Sequence, residues 1–126
     1  MIGKFITGIF GTKSDRTVKK LRIDVEKIND IFEKLKDVPD DHFKKRTAEF
    51  KVMISERREE AIKEAEAEDL SADEILEIET EAKNEALEEI LHEAFGMVKE
   101  VCRRLLGETW NVVGQKIQWE MVPFDV

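Results

Sequence analysis

Six apolar side chains, Val18, Leu21, Val25, Ile28, Phe32 and Leu35, recur at intervals of 3, 4, 3, 4 and 3 residues, with Lys, Arg, Asp and Glu filling most of the positions between. That period gathers apolar groups along one line of an α-helix. A helix so patterned has a stripe that other elements must cover, which commits the chain to helix packing. Burying all six side chains would contribute about 10–15 kcal/mol gross, before chain entropy takes most of it back. Ser14 or Asp15 is the predicted amino-terminal cap.

Val38-Pro39-Asp40-Asp41 is a stop and a restart: Pro breaks the first helix, and an Asp caps the next. A weaker stripe follows through Phe43, Thr47, Phe50, Met53 or Ile54, Ala61, Ile62 and Ala65. Ser71-Ala72-Asp73-Glu74 reads as a capping box, in which the Ser oxygen accepts from the fourth residue's amide and Glu74 reaches back. A long helix should run from there to about Leu106, with Ile75, Ile78, Ala82, Ala86 or Leu87, Ile90, Ala94, Met97 or Val98, Val101 and Leu105 inward. Gly107 ends it, as the residue best able to turn left-handed past a helix. Ile117, Trp119 and Met121 then alternate with Gln118, Glu120 and Val122 until Pro123, and Gly114-Gln115 is placed as the turn of a small hairpin joining Val112-Val113 to Lys116-Ile117. The expected fold is mainly α: three principal helices, a long antiparallel helical hairpin and a short extended carboxy-terminal segment. Residues 1–126 form one helical region, with an amphipathic segment at 1–12 and an acidic helical extension at 56–89.

Charged residues make up 40% and apolar residues 41% of the chain, the mixture that long solvent-laced helices give. The net charge of -8 disfavours nonspecific nucleic-acid binding by the chain as a whole, and no nucleic-acid partner is expected. Charge is unevenly placed: residues 1–22 are basic, whereas acids heavily outnumber bases from Glu56 to Glu89. The lone Cys102 excludes an internal disulfide and fits a reducing compartment. No segment approaches the roughly 20 apolar residues a membrane span needs. The amino-terminal ten residues are too short and Gly-broken for a signal peptide, so a cytoplasmic protein is expected.

Gly8-Ile9-Phe10-Gly11-Thr12-Lys13-Ser14 has the wrong glycine spacing for a phosphate loop, and Thr12 separates Gly11 from Lys13. His42 and His92 lack a second ligand at metal spacing and are assigned to the surface or a helix cap. No nucleophile, base and orienting group come together, so no catalytic residue and no metal ligand is assigned. The strongest candidate surface is amino-terminal. Ile2, Phe5, Ile6, Ile9 and Phe10 share one side of a helix with Lys4 beside them, and Lys13, Arg16, Lys19 and Lys20 follow. This composition suits a short helix lying on anionic lipid, although so few turns and two glycines favour, on the residues alone, a segment docked on its own core or frayed in solution.

Three stretches carry a resemblance to a known family. Phe10-Gly11-Thr12-Lys13-Ser14-Asp15-Arg16-Thr17-Val18-Lys19-Lys20-Leu21 is similar to the amino-terminal segment of the SecA family. Lys45-Arg46-Thr47-Ala48-Glu49-Phe50-Lys51 resembles a second segment of it. Glu93 through Gly107, followed by Met121-Val122-Pro123-Phe124-Asp125-Val126, looks like the approach to its first nucleotide-binding domain. The matches are colinear, and the acidic middle and Trp110–Trp119 stand outside the common pattern.

The resemblance implies the amino-terminal helical region of an ATP-driven motor for preprotein export. The sequence would stop one residue short of the Gln of the adenine-sensing motif, and the chain reads as the leading piece of a larger protein. Met121 and Phe124 would then stand at the wall of the adenine pocket, with ATP and Mg held by the full-length protein and no cofactor held here. The resemblance further implies contact with the SecY channel complex and anionic phospholipid, through Ile2, Lys4, Phe5, Ile6, Ile9, Phe10, Lys13, Arg16, Lys19 and Lys20. Secretory preproteins would be the cargo, and the location the inner face of the plasma membrane. Monomer and homodimer both stay open. The alternative is a free-standing cytosolic helical module that binds a basic partner through its acidic hairpin.

Overall fold

The computed structural model describes residues 11–120. Helix α1 spans Lys13–Leu35, α2 Asp40–Ala67 and α3 Ala72–Leu105; strands β1 (Thr109–Val112) and β2 (Gln115–Gln118) follow. The fold is mainly α, with the expected helical hairpin formed by α2 and α3.

The cap of α1 is Thr12, two residues before Ser14 and three before Asp15, the expected caps. Its hydroxyl accepts from the Asp15 amide at 3.1 Å, and the Asp15 carboxylate takes the Thr12 amide at 2.8 Å. The acid expected as the cap is therefore the reciprocal member of a capping box. Pro39, not an Asp, occupies the cap position of α2 and supplies no side-chain bond. Asp40 and Asp41 instead sit in its first turn, where carboxylates complement the exposed amides. The box at Ser71 and Glu74 forms as read from the sequence.

Helix α3 ends at Leu105, and Gly107 turns with φ +84°. Its amide donates to the Trp119 carbonyl at 3.1 Å, closing the base of the hairpin. The hairpin pairs Thr109 with Gln118 and Val112 with Gln115, so its two-residue turn is Val113-Gly114, one position before the expected Gly114-Gln115. Both turn residues have positive φ, +50° and +78°. This is the twist that a two-residue hairpin loop requires.

Helix α3 is central. Asp24 meets His92, Asn29 meets Lys99, and Arg104 reaches the carbonyl of Leu35, so α1 lies parallel to α3. Arg46 meets Glu93 and Arg58 meets Glu79, so α2 runs antiparallel to it. No close backbone approach joins α1 to α2. Leu35, Phe43, Phe50 and Met97 form the core cluster, with Ile31, Val38, Ile90, Ala94 and Val101 packed around it. Gly96 permits the close approach of α1: a Cβ there would stand 2.8 Å from Ile31 Cγ2.

The six-residue stripe is covered over only part of its length. Phe32 and Leu35 are buried, whereas Val18, Leu21 and Val25 remain 50%, 56% and 38% exposed. The periodicity fixed which side of α1 is apolar, but coverage depends on what stands opposite. Among the described residues only the carboxy-terminal half of α1 is tightly packed. The gross burial expected from all six side chains is correspondingly not realised within this stretch.

Candidate functional site

Lys13, Arg16, Lys19 and Lys20, in the amino-terminal half of α1, are the described part of the surface that the sequence singled out. A helix turns about 100° per residue, which sets Val18, Leu21 and Val25 along one line. Lys13 and Arg22 then flank that line, while Arg16, Lys19 and Lys20 complete the circumference. Lys13, Arg16, Lys19 and Lys20 are all exposed, and none forms a salt bridge among the described residues. Asp15 does not neutralise them through a direct bond, since its carboxylate is committed to the cap. Backbone and hydroxyl bonds from Thr12 hold that carboxyl below its ordinary range. The result is an uncovered apolar line bordered by cations, a pattern suited to an anionic interface. Ile2, Lys4, Phe5, Ile6, Ile9 and Phe10 lie outside the described residues, as do Met121 and Phe124.

The other end of α1 is organised by a cluster that the sequence did not announce. Glu100 on α3 is fully buried. Its Oε1 accepts from Arg104 Nε at 2.7 Å and from Arg103 Nη2 at 2.7 Å. Burial is the largest influence on this carboxyl and pushes its pKa up; the bonds from the two guanidinium groups together outweigh it and hold the pKa below the ordinary range. Arg104 also bonds Asp40 Oδ1 at 2.7 Å and the carbonyls of Leu35 and Val38 at 3.1 and 2.6 Å. Its guanidinium carbon lies 4.8 Å from the Phe43 ring centroid. One side chain thus serves the exposed carbonyls at the end of α1, the start of α2 and the buried acid of α3. The residue types Arg-Arg near a helix end gave a weak signal through the helix dipole, but no spacing could name the carbonyls of Leu35 and Val38 as their targets.

His92 was assigned to the surface or a cap. Instead its Nε2 lies 2.8 Å from Asp24 Oδ1, tying α3 to α1 in a partly buried setting. Lys99, also buried, donates to Asn29 Oδ1 and stands 5.1 Å from the Phe32 ring centroid.

A groove of about 540 Å³ opens between the start of α2, the end of α3 and the hairpin, with Phe43, Lys44, Arg104 and Trp110 in its wall. A second of about 390 Å³ is mostly apolar and includes Phe50, Met97, Leu105 and Trp119. The Trp110 and Trp119 rings are 6.0 Å apart and tilted by 36°. Phe95 and Val98 on α3 are 57% and 56% exposed. Among the described residues no three His, Cys, Asp or Glu side chains are placed to hold a metal ion. No described helix is long and apolar enough to cross a membrane.

Comparison with known proteins is consistent over nearly the whole chain. The SecA DEAD-like domain family model matches residues 6–126. A protein translocase subunit SecA of Prosthecochloris aestuarii is 39% identical over 140 aligned residues, covering 98% of this chain and 14% of that protein. The Salinibacter ruber protein of the same name is 36% identical over 159 residues, covering 98% and 14%. That of Chloroherpeton thalassium is 39% identical over 140 residues, covering 98% and 13%. The chain therefore spans about one seventh of the length of the curated relatives it matches, and the alignments take in the acidic middle as well as the quoted segments. No solved structure matches.

Proposed function

The chain belongs to the SecA family, and from that membership we propose that it serves as the amino-terminal helical region of a protein translocase subunit. In this reading α1 attaches the subunit to anionic phospholipid and to the SecY channel complex on the cytoplasmic face of the membrane. The α2–α3 hairpin supports the first nucleotide-binding domain, and secretory preproteins are the cargo of the whole protein. The described residues contain neither a phosphate loop nor a metal-holding group. In this reading ATP and Mg are held by the full-length protein, and no chemical step is assigned here.

The observation that carries the attachment role is the line of Val18, Leu21 and Val25, uncovered among the described residues and flanked by Lys13 and Arg22, with Arg16, Lys19 and Lys20 exposed around the rest of the helix. Apolar side chains contribute by leaving water, and each cation near an anionic surface adds about 1 kcal/mol. Flotation with vesicles containing phosphatidylglycerol tests it. Replacing Lys13, Arg16, Lys19 and Lys20 together by Glu should remove most of the bound fraction at low salt, with neutral vesicles as the control. Equal binding by the charge-reversed variant would refute the assignment.

A further inference from the structure

Asp24 divides α1 into two mechanically different parts. Carboxy-terminal to it, α1 is fixed repeatedly: Ile31 lies against Gly96, Asn29 accepts from Lys99, and Arg104 takes the carbonyls of Leu35 and Val38. Amino-terminal to it, no described side chain of α1 bonds across to α3, and Val18 and Leu21 stay 50% and 56% exposed. The Asp24–His92 bond is the outermost polar tie between the two helices.

We propose that Asp24 and His92 form a proton-gated latch, which holds the amino-terminal half of α1 in line with α3 when the imidazole is charged and loosens it when the imidazole is neutral. Histidine is the side chain whose charge changes between about pH 5 and 8. Charged, it makes an ion pair with Asp24. Neutral, it keeps at most a hydrogen bond with its proton on Nε2, and the charge attraction is gone. The pair is partly buried, with side-chain exposures of 26% for His92 and 32% for Asp24, so screening is incomplete.

The surrounding charges leave His92 able to act. From α1, Lys20 and Lys27 act on Asp24, though less strongly than His92 does. On α3 itself, Glu88, Glu89 and Glu93 lie within one turn of His92. Helix α2 takes up two of these, since Arg57 bonds Glu89 and Arg46 bonds Glu93. Glu88 remains exposed.

Amide hydrogen exchange tests the latch, with protection corrected for the intrinsic pH dependence of exchange. Amides of residues 16–23 should lose about two- to fivefold protection between about pH 5.5 and pH 8, the range for a weak ion pair that forms or breaks. Amides around Phe50 in α2 should not change. His92→Gln should flatten the profile, and Asp24→Asn should do the same if the first variant folds poorly. A flat profile in the unaltered protein, or a slope that survives both substitutions, would overturn the proposal. Exchange in solution is independent of lipid, so a flat profile leaves the vesicle result standing, and failure to bind vesicles leaves the latch standing.

Discussion

The Glu100 carboxylate, sealed from solvent, receives Arg104 Nε at 2.7 Å from one turn further along α3. The same guanidinium collects carbonyl oxygens from the end of α1 and the turn into α2. Burying a carboxylate alone would be costly; with its partners in place the charge is compensated, and removing either partner exposes the cost.

Arg104→Ala should therefore destabilise the protein by about 3 kcal/mol, since it strips Glu100 of a partner and frees the carbonyls of Leu35 and Val38. Arg104→Lys should recover little of this, because one ammonium cannot reproduce a planar fork that serves several acceptors at once. Urea denaturation followed by far-ultraviolet ellipticity measures both, and a loss below about 0.5 kcal/mol in Arg104→Ala would show the cluster to be ornamental.

Acid should weaken the fold through the same carboxyl. Because Glu100 titrates lower in the folded protein than the ordinary glutamate value of about 4.3, its contribution is fully present above that value. It is lost as pH falls toward the folded pKa. The urea midpoint should drop as pH falls below about 4.3, and Glu100→Gln, less stable at neutral pH, should show a shallower drop.

Gly96→Ala should cost about 1–2 kcal/mol. The added methyl meets Ile31 Cγ2 at 2.8 Å, and overpacking of about 1–3 kcal/mol outweighs the roughly 1 kcal/mol that Ala gains as a helix former. Moving the branch off Cβ in Ile31→Leu, which removes Cγ2, should restore part of the loss if α1 and α3 really meet there. Strict additivity in the double-mutant cycle would contradict the contact.

Val113→Asn should stabilise the hairpin by about 1 kcal/mol, because a β-branched residue held at φ +50° is replaced by one that tolerates the left-handed region. Val113 is 99% exposed, so no packing is lost. The coupled Trp110 and Trp119 rings offer a readout in near-ultraviolet ellipticity, whose melting midpoint should rise.

What was legible in the sequence followed from local rules. The stripe of α1, the stop at Pro39, the box at Ser71 and the turn at Gly107 each depend on residues within a few positions of one another. Three local errors came from neighbouring candidates for one role: Thr12 rather than Ser14 or Asp15 caps α1, Pro39 rather than an Asp occupies the cap position of α2, and Val113 rather than Gln115 shares the hairpin turn with Gly114. The polar ties between helices were not legible. His92 and Asp24 are 68 residues apart and Lys99 and Asn29 are 70 apart, and no periodicity links positions at such distances. Exposure of Val18, Leu21 and Val25 was likewise invisible, since a stripe records which side is apolar and is silent on what covers it.

The central place of α3 has a consequence for synthesis. A chain is made from its amino terminus, so α1 and α2 emerge before the helix against which both are packed. Until α3 has left the ribosome neither can complete its core, and the apolar sides of both are open to whatever is nearby. The α2–α3 pair then needs only the short turn around Ser71, whereas α1 must return across a gap of almost 70 residues, the slower closure of the two. The earliest made of the three described helices is the last to find its place.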